Sequence, residues 1–180
     1  MKIIIGAFVG ALLMFLCQFL SHGLLDWHRP AMEYTPHQEE ILSFLGSKLE
    51  KDGGFFLPNV PAGTSAEDME KYQQESMGKP WAQIYYHTRM DVNMGMNMAR
   101  GFAVDLLIVF TLIWLLGKMA KPGFSDYFLG SLAVGVMIFL FIPYTSHIWF
   151  KTFDLYAHLL DALLSWACVG AWLGYWMNRK

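Results

Sequence analysis

Residues 155–176 read LYAHLLDALLSWACVGAWLGYW, an apolar run about as long as the 20 residues with which a helix crosses a hydrocarbon core of about 30 Å. Three more stretches share this length and character: Ile3–Leu25, about Met98–Met119, and Tyr127–Trp149. Hydrophobic residues make up 55% of the 180 residues, which is too apolar for a soluble domain of this size. The sequence therefore predicts an all-α protein, a four-transmembrane-helix bundle with a small helical extracytoplasmic insertion between helices 1 and 2.

The organisation along the chain follows from these four stretches. We expect residues 1–25 to form transmembrane helix 1, residues 26–97 an extracytoplasmic helical cap, and residues 98–180 transmembrane helices 2–4. The first stretch is longer than the apolar core of a signal peptide, which has about 7–15 residues. It is therefore expected to remain as an uncleaved helix.

The insertion carries two signals for the start of a helix. Thr35, followed by Pro36 and Gln38, has the pattern of a capping box and predicts a helix that stops at Asp52-Gly53-Gly54. The segment Thr64–Glu67 repeats the capping pattern and predicts a second, polar helix through about Met77. The stretch Trp81–Tyr86 is rich in aromatic residues and is expected to be amphipathic and to rest at the headgroup level.

The distribution of basic residues predicts the orientation. The N-terminus, the loop between the second and third stretches, and the C-terminus contain one acidic residue, Asp126, and five basic ones: Lys2, Lys118, Lys121, Arg179 and Lys180. Because basic residues in short loops mark the cytoplasmic side, both termini are expected inside and the insertion outside. We therefore expect an integral protein of a bacterial inner membrane.

Several function classes are not expected. The net charge of −2 gives no basic surface for nucleic acid. The two cysteines, Cys17 and Cys168, lie in predicted spans, so the chain has no disulfide framework and lacks the outer paired cysteines of four-helix thiol-oxidising membrane enzymes. The sequence has no phosphate loop, dinucleotide fingerprint or zincin motif, so enzyme activity is not the expected function.

Ionisable residues fall near the end of each apolar stretch that is predicted to lie outside. In the last stretch and just before it, Asp154, His158 and Asp161 follow one another at helical steps of four and three, so they share one stripe. Charged groups in hydrocarbon are costly, and this stripe should face the bundle interior or a wet cavity. The predicted polar cluster opens outward and has six members: His22, Arg100, Asp105, His147, His158 and Asp161.

This predicted cluster has three interpretations. It is a structural network, in which Arg100 pairs with Asp105 or Asp161. Alternatively it is a metal site for Zn or Cu, or it serves proton or solute passage or binds a small ligand. The candidate metal ligands are His22, His147, His158 and Asp161, together with Met94 and Met98, whose thioethers suit Cu(I). Methionine is also an adaptable packing residue, and the chain has 12.

Small residues at helical spacing predict close helix contacts. Gly6 and Gly10 form a GxxxG motif, as do Gly170 and Gly174. These faces serve either packing within the chain or a homodimer. The expected partners are the lipid bilayer and a membrane or envelope protein, and Pro143 is expected to kink or end the third helix.

The overall plan resembles small four-helix bacterial membrane proteins of unknown function. The resemblance lies in Phe153-Asp154-Leu155-Tyr156-Ala157-His158, which opens a last helix rich in small residues, and it covers mainly the last two spans. It implies no activity and no functional residue, and the long insertion departs from the shorter loops of those proteins. The expected function is that of a non-enzymatic accessory, scaffold or small-ligand-binding protein, and the alternative is metal binding or ion or solute transport by the polar cluster.

The predicted topology can be tested with single introduced cysteines. A cysteine replacing Lys71, in the insertion, should react with a membrane-impermeant thiol reagent on intact cells, because the insertion is expected outside. A cysteine replacing Pro122, in the second short loop, should react only after the cells are lysed. The opposite pattern would reject this orientation.

Overall fold

The helices and strands are defined in a computed structural model that describes residues 1–179. The helices are α1 (Lys2–Phe19), α2 (Gln38–Lys48), α3 (Ala66–Ser76), α4 (Met94–Leu116), α5 (Phe124–Phe139), α6 (Thr145–Trp149) and α7 (Leu155–Asn178). The strands are β1 (Gly53–Leu57) and β2 (Ala82–Tyr86). The protein is therefore mostly helical, as the sequence predicts.

Four helical segments are long and apolar enough to cross a membrane, by length and composition. They are Lys2–Leu24, Met94–Leu116, Phe124–Trp149 and Leu155–Asn178. The second begins four residues earlier than predicted, because the side chain of Asn93 caps it by accepting a 3.0 Å hydrogen bond from the backbone N–H of Met96.

The long helices pack through their small residues. α7 lies between α1 and α5, and α1 also packs against α4. A Cβ built at Gly10 would lie 2.8 Å from Val109 Cγ1, and one at Gly170 would lie 3.0 Å from the backbone of Phe128. Gly174 likewise approaches the carbonyl oxygen of Phe124. In this structure the two GxxxG motifs therefore pack within the chain, and the homodimer stays a prediction.

Tryptophan side chains of α7 add hydrogen bonds to this packing. The indole N–H of Trp172 donates to the carbonyl of Gly6 at 3.0 Å, and that of Trp176 donates to the carbonyl of Lys2 at 2.9 Å. A buried apolar cluster, which includes Val169 and Leu173 of α7, fills the space between the helices. α1 and α7 are thus joined along their length by both packing and hydrogen bonds.

Two π-helical turns interrupt the long helices. The first, Leu20–Leu24, extends α1, and the second, Leu140–Tyr144, joins α5 to α6 and contains Pro143. Proline removes a backbone N–H and crowds the preceding turn, and a π turn accommodates this without ending the helix. The helix continues to Trp149, so Pro143 does not terminate it.

Residues Tyr34–Val92 form a compact unit of their own. In it β1 pairs with β2 in antiparallel fashion, with Gly53 opposite Tyr86 and Phe55 opposite Ile84. The aromatic stretch that was expected at the headgroup level is therefore mainly a strand. The predicted helical cap therefore also contains a two-stranded sheet, because the two strands pair across a long separation that local patterns do not reveal.

The helix starts in this unit also differ from the predicted capping boxes. Thr35 accepts a bond from the backbone N–H of His37, and α2 begins at Gln38 without a side-chain cap. The hydroxyl of Thr64 donates to the carbonyl of Pro61, and Ser65 caps α3, accepting from the N–H of Asp68 at 3.1 Å. The hydroxyl groups of Thr35 and Thr64 thus make hydrogen bonds within local turns and cap neither helix.

α5 and α7 approach each other closely at Gly135, and a substitution there tests whether this packing requires glycine. A Cβ there would lie 2.5 Å from Trp166 Cδ1 and 2.6 Å from the carbonyl oxygen of Ala162, so Gly135→Ala should destabilise the detergent-solubilised protein by about 1–3 kcal/mol. The control is Gly101→Ala, also within a helix, where the added Cβ makes an ordinary 3.7 Å contact with Phe15. It should be neutral or stabilising by up to about 1 kcal/mol. Equal thermal unfolding midpoints for the two variants would contradict this account.

Candidate functional site

The imidazole of His28 bridges two carboxylates. Its Nδ1 lies 2.8 Å from Asp154 Oδ2, and its Nε2 lies 2.8 Å from Asp161 Oδ2. The residue is only 2% exposed. Both ring nitrogens are therefore committed to hydrogen bonds with carboxylates.

The segment that follows α1 brings His28 to the first turns of α7. After the π turn, the backbone N–H of Trp27 donates to the carbonyl of Ser21 at 3.3 Å, which bends the chain back. Asp26 has φ 57°, a left-handed conformation that Asp adopts more readily than most residues. Its carboxylate also accepts a 3.1 Å bond from the Arg29 guanidinium, on the far side of His28 in sequence.

The two aspartates of α7 are placed by helix geometry. Asp154 occupies the N-cap position of α7 without making a side-chain capping bond, so its carboxylate is free to meet His28. Asp161 lies seven residues later, about two turns along the same face. His28 therefore joins the start of α7 to its second turn.

Two further histidines flank this bridge. The ring of His22 stacks on that of His28 at a centroid distance of 3.9 Å, and its Nε2 is 3.9 Å from Asp161 Oδ2. The ring of His158 meets His28 edge-on at 4.8 Å, and its Nε2 is 3.4 Å from Asp154 Oδ2. We call these five residues the His–Asp cluster.

The His–Asp cluster is buried at its centre and open at its sides. The side chain of His28 is 3% exposed, whereas those of His22 and His158 are 52% and 36% exposed. Solvent and small ions therefore reach the cluster past the two flanking imidazoles.

The protonation of His28 is set by two opposing effects. Burial alone lowers the pKa of His28, but the hydrogen bonds with the carboxylates of Asp154 and Asp161 outweigh it and raise the pKa above its ordinary value. The two hydrogen bonds with carboxylates thus favour the protonated form of the His28 ring.

The same geometry places metal-ligating atoms together in two overlapping groups of three. One group is His22, His28 and Asp161, and the other is His28, Asp154 and His158. Within each group the ligand atoms all lie within 4.8 Å of one another. Imidazole nitrogen and carboxylate oxygen are suitable ligands for Zn²⁺ and related ions.

Three of the six residues predicted for the polar cluster are brought together, namely His22, His158 and Asp161. The other three lie elsewhere. Asp105 accepts a 3.1 Å bond from Gln18, and His147 accepts a 3.1 Å bond from the backbone N–H of Thr152. Within residues 1–179 Arg100 forms no ion pair, so its predicted pairing with Asp105 or Asp161 is not seen.

The thioethers predicted as copper ligands lie at the start of α4. Met94 and Met98 are 66% and 45% exposed. They are one helical turn apart and therefore share a face. Copper binding by this pair stays a prediction.

Two members of the His–Asp cluster were not predicted as part of it. His28 lies outside the apolar stretches, six residues after His22, and Asp154 lies just before the last stretch. Two signals were available in the sequence. His158 comes four positions after Asp154, which is one helical turn, and a second histidine follows the end of the first span. Neither signal shows that the chain folds back toward α7.

The raised pKa of His28 predicts how stability depends on pH. Such a histidine contributes stability that is fully present below its unfolded pKa of about 6.5 and is lost as the pH rises through its folded pKa. Chelator-treated protein in detergent should therefore unfold more easily as the pH rises from about 6 to about 9, by about 1.4 kcal/mol for each unit by which folding raises this pKa. The measurement is the thermal midpoint across this range.

The control for this titration is a pair of variants. His28→Ala should remove the decline, whereas His37→Ala should keep it, because the imidazole of His37 is 69% exposed and pairs with an exposed carboxylate, that of Glu40. An unchanged decline in His28→Ala would assign the pH dependence to another group.

Comparisons with models of protein families, with curated proteins and with solved structures found no match. The chemistry available to the chain is therefore argued from the geometry of the His–Asp cluster.

Proposed function

We propose that the protein is a non-enzymatic integral membrane protein that binds one divalent transition-metal ion at the His–Asp cluster, on the outer side of a bacterial inner membrane. The observation that carries this proposal is the convergence of two imidazoles and two carboxylates around the buried ring of His28.

The surface of the long helices supports the membrane assignment. Large apolar side chains project from them into the surroundings, such as Leu107 at 66%, Leu129 at 61% and Phe141 at 80% exposure. Exposed apolar surface of this extent is costly in water and favourable in lipid. The basic residues of the short loops support the orientation, which places the His–Asp cluster near the outer face.

The number of imidazoles supports a metal site over a purely structural bridge. His28 alone completes the bridge between the two carboxylates. Even so, the Nε2 atom of His22 lies 3.9 Å from Asp161 Oδ2, and that of His158 lies 3.4 Å from Asp154 Oδ2. Two ligands held about 2.1 Å from one ion in tetrahedral geometry lie about 3.4 Å apart. The spacing in the cluster is thus close to the spacing that a bound ion requires.

We assign the ion to the group formed by His22, His28 and Asp161. In this arrangement His28 Nε2 binds the ion while its Nδ1–H donates to Asp154, the carboxylate–histidine–metal arrangement that orients many ligating histidines. The exposed side of His22 leaves room for a water molecule as the fourth ligand. Because binding displaces a proton from His28, affinity should increase with pH.

The proposal predicts stoichiometric metal binding. Purified protein, stripped with a chelator and then exposed to Zn²⁺, should retain one ion per chain after desalting, measured by elemental analysis. Binding to the folded state alone should raise stability by about 2.7 kcal/mol at a free ion concentration of 100 times Kd.

Variants locate the ion within the cluster. His22→Ala removes an exposed ligand and should weaken binding at least about tenfold, and His28→Ala and Asp161→Asn should lose it, with non-additive effects because they act on one ion. His147→Ala is the matched control and should bind normally. Met94→Leu with Met98→Leu should not alter Zn²⁺ binding. Wild-type protein that retains no Zn²⁺ and gains no thermal stability from it would reject the proposal.

A further inference from the structure

A second ionisable group lies inside the helices, away from the His–Asp cluster. Asp105 of α4 is 3% exposed. Its Oδ1 accepts a 3.1 Å hydrogen bond from the side-chain amide of Gln18, on α1. Its Oδ2 is buried and has no hydrogen-bond partner.

The surroundings of Asp105 do not compensate a negative charge. Within residues 1–179 no ion pair includes Asp105, and neither His22 of the π turn after α1 nor Arg100 of α4 pairs with it. An ionised carboxylate buried in apolar surroundings costs far more free energy than a neutral acid, and one amide donor does not offset that cost. The buried carboxyl group therefore calls for a bound cation, of which the proton is the smallest.

A second buried polar atom suggests a route by which a proton reaches this group. Ser21 lies three residues beyond Gln18, is 1% exposed, and its hydroxyl also has no hydrogen-bond partner. Buried polar atoms without a protein partner are commonly satisfied by internal water. Ser21 is adjacent in sequence to His22, a member of the His–Asp cluster. Polar groups thus continue from the cluster through Ser21, in the π turn, to Gln18 of α1, which contacts Asp105.

We propose that Asp105 is a proton-binding site within the membrane-spanning helices, which holds a proton at neutral pH and exchanges it by way of internal water at Ser21. The proposal rests on the membrane placement in the proposed function and is independent of metal binding. Its ligand is the proton, carried on Oδ2, while Oδ1 keeps the bond from Gln18.

The test uses dicyclohexylcarbodiimide, an apolar reagent that enters the hydrocarbon phase and reacts with protonated carboxyl groups. The acid proton moves to a nitrogen of the reagent, and the carboxylate oxygen adds to its central carbon. The acyl group then migrates to nitrogen to give a stable N-acylurea, with no leaving group. Protein in vesicles is treated at about pH 7, where an ordinary aspartate with a pKa of about 3.9 is ionised.

Peptide mapping by mass spectrometry of wild-type protein should find one adduct per chain, on Asp105, and Asp105→Asn should abolish it. Asp161→Asn is the matched control and should label as the wild type does. A water-soluble carbodiimide should leave Asp105 unmodified. An adduct absent from Asp105, or total labelling unchanged in Asp105→Asn, would overturn the proposal.

Infrared spectroscopy gives a readout that does not depend on reagent access. The carbonyl stretch of a protonated carboxyl group should be present in wild-type protein at neutral pH and lost in Asp105→Asn, and its absence from the wild type would overturn the proposal. Asp105→Asn should also retain Zn²⁺, whereas Asp161→Asn should lose Zn²⁺ and keep the adduct. These opposite outcomes separate a failure of the proton site from a failure of the metal site.

Discussion

The contact of α7 with α5 is the constraint on which the other features depend. Gly135 lets the backbone of α7 approach at Ala162, and Gly170 lets it approach the backbone at Phe128. Burial of apolar area drives association weakly when lipid is the alternative, so close packing at small residues is the main source of specificity. Since this packing fixes the rotation of α7 about its axis, it also fixes the direction in which Asp154 and Asp161 point.

The His–Asp cluster depends in turn on the bend that follows α1. Packing and tryptophan hydrogen bonds hold α1 against α7, which sets where α1 ends. The π turn and the left-handed Asp26 then bring His28 back to the carboxylates. His28 and Asp161 are far apart in sequence and meet because the chain bends back after α1. Loss of the π turn or of the left-handed conformation at Asp26 would therefore separate them.

The sequence was sufficient for the features that depend on one helix. Length and apolarity located the four long helices, and helical spacing placed His158 and Asp161 on a common stripe. The contribution of His28 was not predictable, because it depends on a non-periodic bend. The partner of Asp105 depends on the relative rotation of α1 and α4, and β1 pairs with β2 across an intervening helix. These three features depend on contacts between segments, about which single-segment patterns carry no information.

Because the ring of His28 lies between Asp154 and Asp161, its tautomer determines which aspartate accepts a hydrogen bond from it. An ion on Nε2 of His28 requires Nδ1 to keep its hydrogen and Asp154 to accept it, whereas an ion on Nδ1 reverses these roles and makes Asp161 the acceptor. The two ligand groups are therefore mutually exclusive as long as the ring carries one hydrogen. Transfer of an ion between the groups would interchange ligand and acceptor roles of the two aspartates, while α7 remained in place.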